Sequence, residues 1–290
     1  MAVHAPPVVL TFGASDPTGA TGVMADATTC AAMGCHAAGV VTVVSVQDSV
    51  RVQEAQPVDD ELVDDQARAV LEDMPVAAFK IGAVGNSDNA QKIAEILSDY
   101  DDVPVVLDPW FGVTSADSEE NRSALEQMTA LCELLLPQTT VLTVDLELAR
   151  RLSAVAAPGT NEAEGDADAD LGAVECARQL LAAGAEYVLL TGVQTAGGRT
   201  VNTLFGPDGG QQNESIDRVD LRFRGAGDTL SAAIAALLAQ GIDIGDAVRE
   251  AHEFLGQALA AGYRLGMGAA MPDRLFWAGD EGEADNVGDD

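Results

Sequence analysis

The sequence predicts an α/β fold with a mostly parallel central sheet and helices on both faces. Three observations carry that prediction. Short apolar runs rich in β-branched residues alternate with segments of helical period along most of the chain. Several of those runs are continuous rather than alternating, as expected of strands covered on both faces. Most of the connections are long enough to hold a helix, and one stretch late in the chain reads as a hairpin.

Taken in order, Val8 to Phe12 is a strand that stops at Gly13, and Thr21 to Met33 carries small and apolar residues at helical spacing. Gly39 to Val46 is β-branched and continuous, which predicts a strand buried on both faces. Asp59 to Leu71 is an acidic amphipathic helix, Ala77 to Ile81 a strand, Asn89 to Leu97 a helix and Val103 to Leu107 a strand. Ser123 to Leu135 reads as a helix, Thr140 to Thr143 as a strand and Asp145 to Leu152 as a helix. Ala154 to Asp170 has no period and is rich in Ala, Gly, Asp and Glu, so it reads as an acidic surface loop. Leu171 to Ala183 is helical and Tyr187 to Leu190 a strand. Thr200 to Phe205 and Gln211 to Ile216 flank Gly206-Pro207-Asp208-Gly209-Gly210, a hairpin signal. Gly227 to Leu238 and Ile244 to Ala260 close the chain as long helices. Residues 1–278 are expected to form one domain, and 279–290 an acidic tail that frays.

Charge narrows the partners. The 290 residues carry 47 Asp and Glu against 15 Lys and Arg, a net charge of −32. Such a field repels nucleic acid and anionic membrane. With 47% hydrophobic residues the chain can still bury a core, so disorder is not the reading; adaptation to high internal salt is. No apolar run reaches the ~18 residues of a membrane span. No basic-then-apolar leader opens the sequence, so a cytoplasmic location is expected. Cys30, Cys35, Cys132 and Cys176 form no CxxC pair and have no histidine at metal spacing, which predicts free, buried thiols.

The segment that carries chemistry is Arg224-Gly225-Ala226-Gly227-Asp228-Thr229, which opens a helix of small residues. Two glycines let backbone approach a ligand closely. The unpaired N–H groups and positive dipole end of the helix make an anion site. A carboxylate beside such a site can take a proton from an attacking hydroxyl while the N–H groups stabilise a transferring phosphoryl group. An Asp before a helix is also a common cap. No G-x-x-x-x-G-K-S/T motif is present, which excludes a P-loop enzyme.

This arrangement resembles the catalytic end of ribokinase-like proteins. Further matches run through most of the chain. Gly13-Ala14-Ser15-Asp16-Pro17-Thr18-Gly19-Ala20-Thr21-Gly22-Val23-Met24-Ala25-Asp26, Thr42 to Ser49, Lys80-Ile81-Gly82-Ala83, Val106 to Pro109 and Leu135 to Gln138 resemble, in order, motifs of the hydroxymethylpyrimidine/phosphomethylpyrimidine kinases. The resemblance covers residues 8 to 262 and implies a ribokinase-like three-layer sandwich. It implies Asp228 as general base and Gly225, Ala226 and Gly227 as the anion hole. It places Gln47 on the pyrimidine ring, where an amide can match a donor and acceptor edge. Gly13, Asp16, Ala20 and Ala83 are expected around the ring. Lys80, Asp145, Thr191 and Gly192 are expected on the ATP side, with Asp108 and Glu147 near Mg²⁺. A homodimer is expected by the same analogy.

The sequence also departs from that pattern. Asp228 stands where the family usually has Cys, and Leu148 where it has a Glu that helps hold Mg²⁺. Thr191-Gly192-Val193 replaces K-G-G, and Gly19-Ala20-Thr21-Gly22 replaces G-G-A-G. Three readings follow: a kinase that phosphorylates hydroxymethylpyrimidine and its monophosphate for thiamine synthesis, a pyridoxal kinase of the same fold, or a non-catalytic ligand-binding regulator. The second phosphorylation needs cationic help, for which Arg224 and Arg199 are the candidates.

Overall fold

A computed structural model describes residues 5–111, 118–156, 172–194, 200–216 and 221–278, without the side chains of 118–121, 194 and 200. Among these residues nine strands form one sheet: β1 (Val8–Ser15), β2 (His36–Gln47), β3 (Val52–Pro57), β4 (Val76–Ala83), β5 (Val105–Trp110), β6 (Val141–Asp145), β7 (Tyr187–Gln194), β8 (Thr200–Phe205) and β9 (Gln211–Ile216). Their order is β3-β2-β1-β4-β5-β6-β7-β8-β9. The six strands from β2 to β7 pair in parallel, while β3, β8 and β9 add antiparallel edges.

Among the described residues eight α-helices accompany the sheet: α1 (Gly22–Ala32), α2 (Asp60–Leu71), α3 (Ser87–Leu97), α4 (Ser118–Ala130), α5 (Leu146–Ala156), α6 (Ala173–Ala182), α7 (Ala226–Ala239) and α8 (Ile244–Ala260). They divide between two apolar layers. Leu10, Phe12, Phe79, Ile81 and Leu107 face the layer of α2 to α6. Val9, Ala78, Val106 and Leu189 face α1, α7 and α8. Strand periodicity thus sends neighbouring residues of one strand to opposite cores. In particular, Lys80 shares the parity of Ala78 and points toward α1 and α7.

Helix α7 is nearly all Ala, Leu and Ile, and Leu230 and Ala232 to Leu238 are all buried. That composition puts it inside the molecule, with its N-terminus at the carboxyl ends of the strands, where open parallel sheets bind ligands.

Among the described residues each strand and helix read from the sequence is present, with differences. β1 runs on through Gly13 to Ser15 rather than stopping there. β2 is not buried on both faces: Val44 and Val46 remain 51% and 49% exposed. β3, which the sequence reading omits, pairs antiparallel with it and forms the sheet edge. The run Gln53-Glu54-Ala55-Gln56 has no apolar period to mark a strand. The predicted helix from Ser123 to Leu135 starts earlier, at Ser118, and ends in a π turn over Leu131–Leu135, just ahead of Pro137. The acidic segment beyond residue 156, Arg199 and the tail 279–290 lie outside the described residues.

Candidate active site

The N-terminus of α7 is built by Gly225, which adopts φ 87° and ψ 9°. Only glycine takes that conformation freely. A side chain there would also collide with the Ala20 carbonyl and the Arg274 guanidinium. The first intrahelical bond runs from Thr229 N to Gly225 O. The N–H groups of Ala226, Gly227 and Asp228 therefore precede the hydrogen-bonded ladder and are free to meet an anion.

Asp228 is held on one oxygen. Its Oδ1 accepts from Gly22 N at 2.9 Å and lies 3.6 Å from Lys80 Nζ. Gly22 opens α1 at φ 65°, packed so closely on Ala14 that a Cβ would overlap its carbonyl. The base candidate thus bridges the two ends of the chain, with Oδ2 turned to neither of these donors.

Lys80 is fully buried, as is Asp26 on α1, and Lys80 Nζ lies 3.0 Å from Asp26 Oδ1. The two are at ion-pair distance without hydrogen-bond alignment. One ammonium faces three carboxylates: Asp26, Asp228 and Asp108. Burial alone would make Lys80 easier to deprotonate, but the three carboxylates reverse this and raise its pKa. Burial, reinforced by Asp228, pushes Asp26 up to about 7 despite the ammonium beside it. Burial and then Asp228 likewise raise Asp108, against Lys80 and two hydroxyl donors.

Those donors are Thr143 Oγ1, 3.0 Å from Asp108 Oδ1, and Ser231 Oγ, 2.8 Å from Asp108 Oδ2. Asp108 is therefore no turn cap. It ties β5 to β6 and α7, and its carboxylate packs on Gly227, where a Cβ would lie 3.6 Å from Oδ2.

A cleft of about 300 Å³ opens over this cluster. It is lined by Gln47 and Ser45 from β2, Thr21 and Gly22, Ala83, Asp108 and Trp110, and Arg224, Gly227 and Asp228. Gln47 Nε2 donates to Thr21 Oγ1 at 3.3 Å. Arg224 Nη1 donates to the Asp48 carbonyl at 3.0 Å.

The remaining sequence candidates lie outside the lining of the cleft. Gly13 is within β1, and Asp16 and Ala20 belong to the glycine-rich turn that follows it. Asp16 is buried and accepts from Thr18 N and Oγ1 and from Thr21 N and Oγ1, at 2.7 to 3.0 Å. Its burial works against ionisation, but hydrogen bonds from Gln47, Thr18 and Thr21 outweigh it and hold its pKa low. Asp145 accepts from Leu148 N at 2.7 Å, a helix N-cap for α5. It pairs in register with Thr191, and Gly192 N donates to Asn202 Oδ1 at 2.8 Å; all three lie at the carboxyl ends of β6 and β7, away from the cleft. Glu147 is exposed in the first turn of α5 and does not join Asp108. Among the described residues no three His, Cys, Asp or Glu side chains gather as a metal cluster. Lys80 is a buried ion-pair partner rather than a cleft cation.

Sequence reasoning missed Arg274 and gave no role to Asp26, although Asp26 closes the glycine-rich motif. Asp26 sits four residues into α1, at a spacing that faces α7, but nothing local marks its partner.

A family profile described as phosphomethylpyrimidine kinase matches residues 16–273. The chain belongs to this family. A hydroxymethylpyrimidine/phosphomethylpyrimidine kinase of Streptomyces coelicolor is 35% identical over 275 residues, 94% of this chain and 96% of that one. A thiamine biosynthesis multifunctional protein of Corynebacterium efficiens is 30% identical over 93% of this chain and 35% of its own length. The ADP complex of Bacillus subtilis pyridoxal kinase superposes with a TM-score of 0.81 at 25% identity, covering 94% of this chain and 99% of that one. The family is one of kinases with the ribokinase-like fold.

Proposed function

We propose that this kinase transfers the γ-phosphoryl group of ATP to the hydroxymethyl oxygen of 4-amino-5-hydroxymethyl-2-methylpyrimidine, and then phosphorylates the monophosphate, in thiamine biosynthesis. The observation that carries this reading is the meeting of Gln47, Asp228 and the α7 N-terminus in one cleft. The Gln47 amide offers a donor and an acceptor to an aminopyrimidine edge. Asp228 takes the hydroxyl proton as the oxygen attacks the γ-phosphorus. The bond from that phosphorus to the β–γ bridging oxygen breaks, and ADP leaves. The N–H groups of Ala226, Gly227 and Asp228 hold the charge that develops on the transferring group.

Mg²⁺ fits this site. It binds through one or two carboxylates together with substrate phosphates and water, so a three-ligand protein cage is not needed. Asp108, packed on Gly227 and anchored by two neutral hydroxyls, is the carboxylate we assign to it. When bound, the ion would neutralise phosphate charge beside the carboxylates. Glu147, exposed in the first turn of α5, is given no direct part in this assignment. Asp145, Thr191 and Gly192 are assigned to the nucleotide side of the strand ends.

The same reading extends to the whole molecule. Residues 1–278 act as one domain, in a homodimer, in a cytoplasm rich in salt that screens a net charge of −32. No helix among the described residues is long and apolar enough to cross a membrane.

The test is ADP release with Mg·ATP in molar KCl, comparing hydroxymethylpyrimidine with pyridoxal. Higher kcat/KM on the pyrimidine supports the proposal. Preference for pyridoxal, the substrate named for the Bacillus subtilis neighbour, would replace it. Binding of either ring without ADP formation would make the protein a sensor.

A further inference from the structure

Arg274 is 6% exposed and follows α8 by fourteen residues, yet its guanidinium reaches into the base of the catalytic turn. Nε donates to Thr229 Oγ1 at 3.0 Å. Nη2 donates to the Ala20 carbonyl at 2.6 Å and to the Gly225 carbonyl at 3.4 Å. Nη1 donates to the Gly19 carbonyl at 3.4 Å. One planar fork thereby joins the glycine-rich turn before α1 to the left-handed residue that starts α7.

Two features set this arginine apart from a surface ion pair. Among the described residues it has no carboxylate within ion-pair distance, and all four of its partners are neutral oxygens. It also lies against the N-terminus of α7, so a buried cation sits on a positive helix end. Burial accordingly lowers its pKa, opposed mainly by Asp228 and then Asp26. A like-sign arrangement of this kind costs free energy in the free protein and is relieved when an anion arrives above it.

We propose that Arg274 is a positioning residue for phosphoryl transfer. It fixes Gly225, and hence the three free N–H groups, against the turn that delivers Gly22 N to Asp228, and it adds positive potential beneath the anion hole. The inference rests on the proposed phosphoryl transfer.

The experiment compares Arg274→Ala, Arg274→Lys, Arg274→Gln and Thr229→Val with the wild-type chain in molar KCl. For Arg274→Ala, kcat is expected to fall about 10²-fold, the usual effect of a small misplacement of catalytic groups, while KM for the pyrimidine stays within about threefold. Millimolar guanidinium chloride should restore part of that kcat. Arg274→Lys keeps the charge without the fork and should stay low. Thr229→Val removes the Nε acceptor together with the bond that Thr229 Oγ1 donates to the Gly225 carbonyl, and should lower kcat in the same sense. Arg274→Gln, which keeps a donor amide without the charge or the full fork, is the variant that tests the proposal if Arg274→Ala folds poorly, and its kcat should also stay low. A kcat per folded molecule equal to wild type, a change in KM alone, or full activity in Arg274→Lys or Arg274→Gln would overturn the proposal. Amide exchange separates this inference from the activity on which it rests. Even if the wild type phosphorylates neither ring, residues 19–22 and 226–229 should exchange faster together in Arg274→Ala, with the rest of α7 unchanged. Unchanged exchange in both segments would reject the clamp.

Discussion

Lys80 Nζ lies 3.6 Å from Oδ1 of Asp228, the oxygen that also accepts from Gly22 N. One hydrogen bond, from Gly22 N, and one ion-pair contact, with Lys80, on the same oxygen orient the carboxylate. Asp228→Asn keeps the size of the side chain and an acceptor for Gly22, but cannot take the hydroxyl proton. We expect kcat to fall by at least about 10²-fold with the fold intact. ADP release and a thermal melt on the same sample check this. Asp228→Cys installs the residue usual in the family and should retain more activity than Asn, rising with pH as the thiolate forms. Activity in Asp228→Asn close to wild type would remove Asp228 from the role of base.

Removing Lys80 should be costly to the fold as well as to activity. Lys80→Met leaves Asp26 buried and unpaired, and loss of one partner of a buried ion pair costs about 3–5 kcal/mol. Equilibrium denaturation in molar KCl measures it. Adding Asp26→Leu removes the stranded carboxylate and should recover much of that stability. It should not recover kcat, because Asp228 stays without its ammonium. Recovery of both together would mean that the pair serves packing alone.

The buried cluster also fixes a pH dependence. Burial lifts Asp26 to about 7 in the folded chain, against 3.8 when exposed. Between those values the folded state binds more protons than the unfolded one. Stability therefore falls as pH rises from about 4 to about 7 and levels off above, with a slope of at most about 1.4 kcal/mol per pH unit from this group. Asp26→Asn should lose that component. Urea melts of both proteins across the range, at constant molar KCl, test the sign; parallel curves would show that the cluster does not take up this proton.

What was legible in the sequence follows from locality. The continuous runs of β1 and β4 to β7 and the small-residue helix after Gly225 carry their own signals, so the sheet, its layers and the place of α7 could be read directly. Gln47, Ala83, Asp108 and Asp228 could be placed through their motifs and converge in the cleft. The rest depends on partners distant in sequence. Lys80 reads as a strand-end cation until Asp26 and Asp228 close over it from two helices. Asp16 reads as a ligand-facing acid until Thr18 and Thr21 occupy both of its oxygens. Arg274 bonds carbonyls some 250 residues earlier, and an arginine followed by Leu, Phe and Trp carries no local mark of that task. β3 was invisible because an edge strand of polar residues has no apolar face to betray it.

Salt should act on the whole molecule. With 47 acidic and 15 basic residues, self-repulsion opposes the compact state in dilute buffer, while at 1 M ionic strength the Debye length shrinks to about 3 Å. We expect the melting temperature to rise by about 5 °C or more between 0.1 M and 2 M KCl, equivalent to roughly 2 kcal/mol for a chain of this size. The Arg178–Glu175 and Arg249–Asp246 pairs are exposed and will weaken over the same range, so a net rise identifies relief of repulsion as the larger effect. A melting temperature independent of salt would end the reading of salt adaptation.

Arg224 is the first residue to test for a part in the second phosphorylation. The cleft is lined by the carboxylates Asp108 and Asp228, and Arg224 is the one cationic residue among its described lining. Its Nη1 is tied to the Asp48 carbonyl, one residue beyond Gln47, so the guanidinium is held at the ring-binding end. A neutral alcohol needs no cation there. The monophosphate brings its own negative charge to two carboxylates, and a hydrogen bond to a charged group contributes about 1.5–3 kcal/mol. Arg224→Gln is therefore expected to lower kcat/KM for the monophosphate by about 10- to 100-fold and for the alcohol by less than about threefold. Parallel assays on the two substrates provide the comparison. Equal losses on both would assign Arg224 to the ATP phosphates or to holding the Asp48 turn. No loss on either would leave the second step to a cation outside the cleft, with Arg199 the next to substitute.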